Sequence, residues 1–313
     1  MSSGSVADRV RIGTRGSRLA LRQAEVVADA LRRAWPELVV ELTPIRTTGD
    51  RLPDANLALV GGKGLFVREI DEALLDGRIE LAVHSLKDLP AERPAGLVLA
   101  AFPERDDPRD VLVSRAGRGL EALPRGARVG TASLRRRVQL QALRPDLAVE
   151  LIRGNVDTRL RKLDEGLYDA VVLAAAGLDR LGVARSTVEV LDAARMLPAV
   201  GQGTLAVEAR ADDAATRRLV GVLDHADTRV AAEAERGFLA AIGGSCTTPL
   251  AAYARPEQGV FRLDALVATP DGARILRDGA DGDPRDAAAL GRRVAERMLA
   301  AGAGEIVRAG QAA

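Results

Sequence analysis

Residues 79–90 read IELAVHSLKDLP. The first five form an apolar run of the length of a buried strand. Pro90 then takes the chain out of regular structure and holds Leu89 extended. Between strand and proline lie His84, Ser85, Lys87 and Asp88. Open α/β sheets bind ligands at the carboxyl ends of their strands, so polar and ionisable groups clustered there make a candidate site. Taken alone, the stretch is equally compatible with a solvated turn in which Lys87 and Asp88 face water.

Outward from this stretch, strands alternate with helices. Residues 10–14 read as a short strand, Ser17 as a helix cap, and Leu19, Leu21, Ala24, Val27, Ala28 and Leu31 as a helical stripe. Residues 39–47 alternate like a strand, Gly61-Gly62-Lys63-Gly64 opens a helix over 65–76, and residues 97–102 are a further strand. After a polar, hinge-like segment at 103–108 the pattern restarts. Strands are predicted at 111–114, 129–131, 149–152 and 170–174, with helices at 133–143 and 156–165. Residues 198–203 have the backbone freedom of a return crossing. From about residue 227 the texture changes to a helix (228–242), the Gly243-Gly244-Ser245-Cys246 loop, strands at 250–254, 260–269 and 273–278, and a helix at 286–299. Pro270-Asp271-Gly272 reads as the turn between the last two strands. No internal sequence repeat is visible.

At 313 residues and 33.0 kDa the chain is too long for one ordinary core, and two or three domains are expected. With 47% hydrophobic and 28% charged residues it is globular rather than disordered. A net charge of +1 and 2% aromatics argue against nucleic-acid binding, which calls for a basic excess and stacking rings. The first residues carry no apolar signal region and no run approaches a membrane span, so a cytoplasmic chain with no membrane partner is expected. One cysteine excludes an internal disulfide, and with only two histidines a Cys/His metal site is not expected. Among 45 basic residues only Lys63, Lys87 and Lys162 are lysines, and two of these fall in the GGKG and HSLKD motifs.

Arginines gather at strand-to-helix junctions: Arg15 beside Ser17, Arg135 to Arg137 after Ser133, and Arg153 with Arg159 around Gly154-Asn155. A cation at a helix N-terminus works against the macrodipole by roughly 0.3–1 kcal/mol. Free N–H groups and guanidinium forks together suit carboxylates or phosphates, which would offset that cost. An arginine-rich composition explains any one junction but explains three less well. On this argument, replacing Arg135 or Arg136 by Leu should weaken anion binding with little loss of stability. The Gly61–Gly64 loop is not a Walker loop, since Gly64 follows Lys63, and it fits a substrate loop or a merely flexible one. Cys246 on its glycine loop is open to two readings, a nucleophile or attachment point and a small buried hydrophobe.

TRGSRLAL (14–21), GGKGLFVREI (61–70), AVHSLKDLP (82–90), RDDPRD (105–110), GTASLRRR (130–137), LIRGNVDTRL (151–160), AAAGLDRL (174–181), LPAVGQG (197–203) and GGSCTTP (243–249) together resemble, in order and spacing, the porphobilinogen deaminase (hydroxymethylbilane synthase) family. The match runs from about residue 10 to beyond residue 254, and the last fifty or so residues match more loosely. The resemblance implies an α/β fold of two periplasmic-binding-protein-like lobes, residues 1–103 with 203–221 and residues 106–198. It adds a smaller C-terminal α+β domain at 226–313. It implies a transferase of tetrapyrrole (haem-type) biosynthesis that joins four porphobilinogens head to tail into hydroxymethylbilane, releasing ammonia. It implies a dipyrromethane cofactor held by a thioether to Cys246. Carried over residue by residue, Asp88 is the catalytic carboxylate with Lys87 beside it. Lys87, Asp88, Ser133, Arg135, Arg136, Arg153 and Arg159 bind cofactor, and Arg15, Ser17, Lys63 and Gln202 bind substrate. Leu59 stands where some members carry lysine, so no role is carried over there. Each pyrrole bears two carboxylates, which gives clustered arginines a purpose that composition does not. The rival is a non-enzymatic two-lobed solute-binding protein for a di- or polycarboxylate, which would need neither Asp88 nor Cys246. A monomer is expected.

Overall fold

The computed structural model describes residues 8–51, 67–184, 188–244 and 248–312. By contact the chain divides into two compact units, Met1–Asp106 with Thr204–Arg229, and Asp107–Gly203 with Val230–Ala313.

The first unit is built on strands Arg9–Arg15 (β1), Val39–Ile45 (β2), Leu81–Ser85 (β3) and Leu97–Ala101 (β4). The chain then lays down Asp110–Ser114 (β5), Arg128–Gly130 (β6), Ala148–Glu150 (β7), Ala170–Ala174 (β8) and Val188–Val190 (β9) in the second unit. It next returns Leu205–Arg210 (β10) to the first. The first sheet has the order β2-β1-β3-β10-β4, with β10 antiparallel to both neighbours. The helix Arg18–Ala34 covers one face, where Ala24, Val27, Ala28 and Leu31 join Val10, Leu81, Val83 and Val207. The other face packs against the helix Arg68–Leu75 through Ile70, Ala73 and Leu74.

The second unit's larger sheet, β7-β6-β8-β5-β9, repeats the first in order and direction. Three strands are parallel, β5 runs antiparallel beside β8, and β9 flanks β5. The repeat lies in topology alone, because the antiparallel strand comes last in one sheet and first in the other. The strands Leu250–Glu257 (β11), Val260–Ala268 (β12) and Ile275–Gly282 (β13) form an antiparallel meander. Against it pack residues 230–242 of the helix Ala226–Ile242 and the helix Ala287–Met298. These two helices touch backbone to backbone. A Cβ on Gly291 would lie 2.1 Å from Ala234 O, and one on Gly237 would lie 2.5 Å from Ala288 O. The mixed α/β class with a smaller three-stranded sheet agrees with the sequence.

Several elements depart from expectation. β3 starts two residues later than the apolar run and continues through His84 and Ser85, because pairing with β10 extends it. β9, β10 and the helices Ala175–Arg180 and Ala214–Gly221 carry no clear period of their own. The C-terminal helix does not end the chain: a kink at Gly302, with φ +97°, leads into Gly304–Ala312.

Candidate functional site

β3 runs directly into a single 3-10 turn, Leu86–Asp88. The turn is pinned on both sides. Leu86 and Leu89 are buried, Leu86 N–H donates to Thr204 O at 3.0 Å, and Leu89 N–H donates to Leu86 O at 3.1 Å. Gln23 Nε2 donates to Ser85 Oγ at 2.8 Å, fixing the end of the strand. Two buried leucines three residues apart leave Lys87 and Asp88 on the outside of the turn, and both are exposed. His84 departs from the sequence reading. It is buried within β3 and does not belong to the exposed polar cluster.

In the same unit Ser17 caps the helix Arg18–Ala34, its Oγ accepting from Ala20 N–H at 3.2 Å. Arg15, at the end of β1, donates from Nε to Asp50 Oδ1 at 3.1 Å. Burial pushes the Asp50 carboxyl up, but Arg15 and Thr47 outweigh it and hold it below the usual range. Lys63 lies outside the described residues.

In the second unit the arginines gather on one carboxylate. Asp110, fully buried at the start of β5, accepts from Arg135 Nη1 at 2.7 Å, Arg136 Nε at 2.9 Å and Gln202 Nε2 at 2.8 Å. Arg135 Nη1 also donates to Leu197 O at 2.6 Å, Arg136 Nη1 to Val172 O at 3.0 Å, and Gln202 Nε2 to Pro108 O at 2.6 Å. Burial opposes ionisation of Asp110, yet Arg135 and Arg136 prevail and hold it well below the ordinary carboxylate range. Arg136 is itself pushed down by burial, with Asp110 opposing. The expectation that Arg135 and Arg136 can be removed with little loss of stability is therefore overturned. A carboxylate from a strand 25 residues earlier already neutralises them in part, and losing either would strip a buried ion pair.

Ser133 caps the helix Leu134–Leu143 and Asn155 caps Val156–Asp164, Asn155 Oδ1 accepting from Thr158 N–H at 2.9 Å. Arg159 on the second helix is half-buried and donates from Nε to Gly154 O at 2.8 Å. Among the described residues no carboxylate lies within ion-pair distance of it. Burial, and then the charge of Arg136, push its guanidinium down to about 10. A cation under that strain favours an anion brought from outside. Arg153 is half-buried, and its carbonyl accepts from Lys162 Nζ at 3.2 Å. Cys246 lies outside the described residues.

The structure thus brings together Arg135, Arg136 and Gln202, and electrostatically Arg159. It also identifies Asp110, to which the sequence reading assigned nothing. The signals available were a carboxylate opening the apolar strand residues Val111 to Val113 and its place at the end of the RDDPRD motif.

Residues 10–218 match the model described as porphobilinogen deaminase, dipyrromethane cofactor binding domain, and residues 230–300 match porphobilinogen deaminase, C-terminal domain. The chain belongs to the porphobilinogen deaminase family. A porphobilinogen deaminase of Syntrophobacter fumaroxidans is 50% identical over 303 residues, covering 96% of this chain and 98% of its own. One from Nitratidesulfovibrio vulgaris is 52% identical over 301 residues, covering 95% of each. Among solved structures, the methionine-binding protein MetQ covers 69% of this chain and 89% of its own at 15% identity and a TM-score of 0.43. Membership in the porphobilinogen deaminase family favours a transferase of tetrapyrrole biosynthesis with a dipyrromethane cofactor over the solute-binding alternative. Among the described residues no helix is long and apolar enough to cross a membrane.

Proposed function

We propose that this chain performs the hydroxymethylbilane synthase reaction, joining four porphobilinogens head to tail with release of ammonia, and that Asp88 is the carboxylate on which the chemistry turns. The observation that carries the assignment is the presentation of Asp88: an exposed carboxylate on a turn whose two flanking leucines are buried and whose backbone is tied to Thr204. A fixed carboxylate can accept from the N–H groups of two neighbouring pyrrole rings. As ammonia leaves porphobilinogen, positive charge develops on the methylenepyrrolenine that remains, and a pre-placed anion stabilises it as it forms. The amine leaves as ammonia from its ammonium form, and the same carboxylate accepts the proton that the newly joined ring releases. Lys87, adjacent and exposed, binds substrate carboxylates.

The arginine centre fits a ligand that carries several carboxylates, because among the described residues no carboxylate lies within ion-pair distance of Arg159, whose guanidinium burial, and then the charge of Arg136, push down. Arg135, Arg136, Arg153 and Arg159, with Ser133, hold acetate and propionate groups of the dipyrromethane, and Arg15, Ser17, Lys63 and Gln202 serve substrate. When bound, the dipyrromethane supplies the pyrrole terminus that is extended, and Cys246 is its point of attachment. Asp110 engages Arg135 and Arg136 in part, so Arg159 carries more of the ligand's charge than position in sequence suggests. The same proposal takes residues 1–103 with 203–221, 106–198 and 226–313 as three domains of a cytoplasmic monomer, to be checked by limited proteolysis and light scattering.

Asp88→Asn tests the central assignment. It should fold, retain cofactor supplied preassembled, and lose two or more powers of ten in rate, about 3 kcal/mol or above. Asp88→Glu should keep part of the activity, since the charge survives. Near-normal turnover of the asparagine variant would make Asp88 structural.

A further inference from the structure

Beneath the Asp88 turn lies a second buried charge cluster. His84 is opposite Ala206 and Ala82 is opposite Glu208 in the β3–β10 register, so His84 and Glu208 share one face of the sheet. Glu208 is fully buried, and Arg93 grips it with Nε at 2.8 Å and Nη2 at 2.9 Å. Arg93 Nη2 also donates to Asp71 Oδ1 at 2.5 Å, on the helix Arg68–Leu75 that packs over this face. His84 Nε2 is 3.3 Å from Glu208 Oε2 but makes no hydrogen bond there. One nitrogen of His84 and one carboxylate oxygen from each of Asp71 and Glu208 all lie within 4.8 Å of one another. Arg93 bridges the two carboxylates.

The charges do not balance. Two buried carboxylates face one guanidinium, since Arg210 on the same strand is paired with Asp213, and this leaves one negative charge with no solvent to screen it. A proton taken from water cancels it, and His84 and Asp71 are the two groups able to hold it. Burial is the chief cause pushing the Asp71 carboxyl up, and the charge of Glu208 adds to it while Arg93 opposes.

We propose that the Asp71–His84–Glu208–Arg93 cluster holds one exchangeable proton between His84 and Asp71, and that His84 is thereby a positioning residue for Asp88, four residues further along. The proton keeps β3 seated between β10 and the overlying helix. Its loss leaves a net buried charge under the turn, loosens the strand end and lets Asp88 drift. The inference rests on the assignment of Asp88 above. The sign of the pH dependence follows from the raised Asp71 carboxyl: the stabilisation is present at low pH and is lost as pH rises through the folded-state value.

The test is a double-mutant cycle on the holoenzyme with a stability measurement beside it. His84→Gln should lower kcat about tenfold or more with KM little changed, whereas in an Asp71→Asn background, where Arg93 and Glu208 already balance, the same substitution should cost less than about threefold. Wild-type kcat should fall towards alkaline pH more steeply than that of Asp71→Asn. Equal losses from His84→Gln in both backgrounds would overturn the proposal, since a mere packing role predicts that. The pH slope of unfolding, measured on the inactive Asp88→Asn holoenzyme with and without Asp71→Asn, reports the proton independently of turnover. Identical slopes would also overturn the proposal. An active Asp88→Asn variant would instead defeat the Asp88 assignment and leave the slope comparison standing.

Discussion

Asp110→Asn changes the molecule by one charge and almost no volume. Asp110 is completely buried and receives Arg135, Arg136 and Gln202. The amide keeps one acceptor oxygen but sets an NH2 group against guanidinium donors, and the two buried arginines lose their shared counter-ion. Removing one partner from a buried ion pair costs about 3–5 kcal/mol, most of it the penalty for the charge left behind. Here two cations are left, so the upper part of that range is expected, and thermal unfolding of the holoenzyme should fall by several degrees or more. The pH dependence separates this from a packing effect. Asp110 is held far below its ordinary value, so its stabilisation is present above the unfolded-state value of about 3.9 and is lost only under strong acid. The wild-type minus variant difference should therefore stay flat from about pH 5 to pH 9. A shift below about 1 kcal/mol, or a difference that shrinks steadily across that window, would refute the reasoning, because Asp110 would not then be the ionised centre of the cluster.

Arg136→Leu should cost less than Asp110→Asn, roughly 1–3 kcal/mol for the hydrogen bonds lost to Asp110 and Val172, since Asp110 keeps Arg135, whereas Arg159→Leu should leave stability unchanged or slightly raised, since it relieves repulsion with Arg136. Both should impair retention of the dipyrromethane, and equal thermal shifts in the two variants would contradict the division drawn between them. Cys246→Ser should give a protein whose intact mass lacks the dipyrrole adduct and which cannot elongate substrate, and peptide mapping that finds the adduct elsewhere would end that assignment.

What could be read from the chain was what neighbours in sequence decide. Ser17 caps its helix because its oxygen meets an N–H three residues on, and Ser133 and Asn155 do the same. The turn at residues 86–88 follows from a strand, two leucines and a proline, all local. β10 was not legible from pattern because its partners β3 and β4 lie more than a hundred residues away, and burial on both faces removes the alternation that marks a half-exposed strand. The buried placement of His84 was missed for the same reason, since the residue that draws it inward, Glu208, comes from β10.

The arginine junctions show how a sound local argument reaches a wrong energetic conclusion. Cations at a helix N-terminus do work against the dipole, and from sequence the natural counter-ion is an external anion. The fold supplies an internal one. Asp110, Arg135 with Arg136, and Gln202 come from a strand, a helix and a loop that only the tertiary structure assembles. A single carboxylate cannot balance two guanidiniums, so the cluster keeps one unit of positive charge; burial first, and then the charge of Arg136, push the Arg159 guanidinium down. The centre is therefore rigid and cationic at once. Asp110 holds the forks in fixed orientation, and on the function proposed above the surplus charge serves the ligand's carboxylates. Fully neutralised arginines would have held their geometry without attracting a carboxylate, and unpaired ones would have attracted it without holding still.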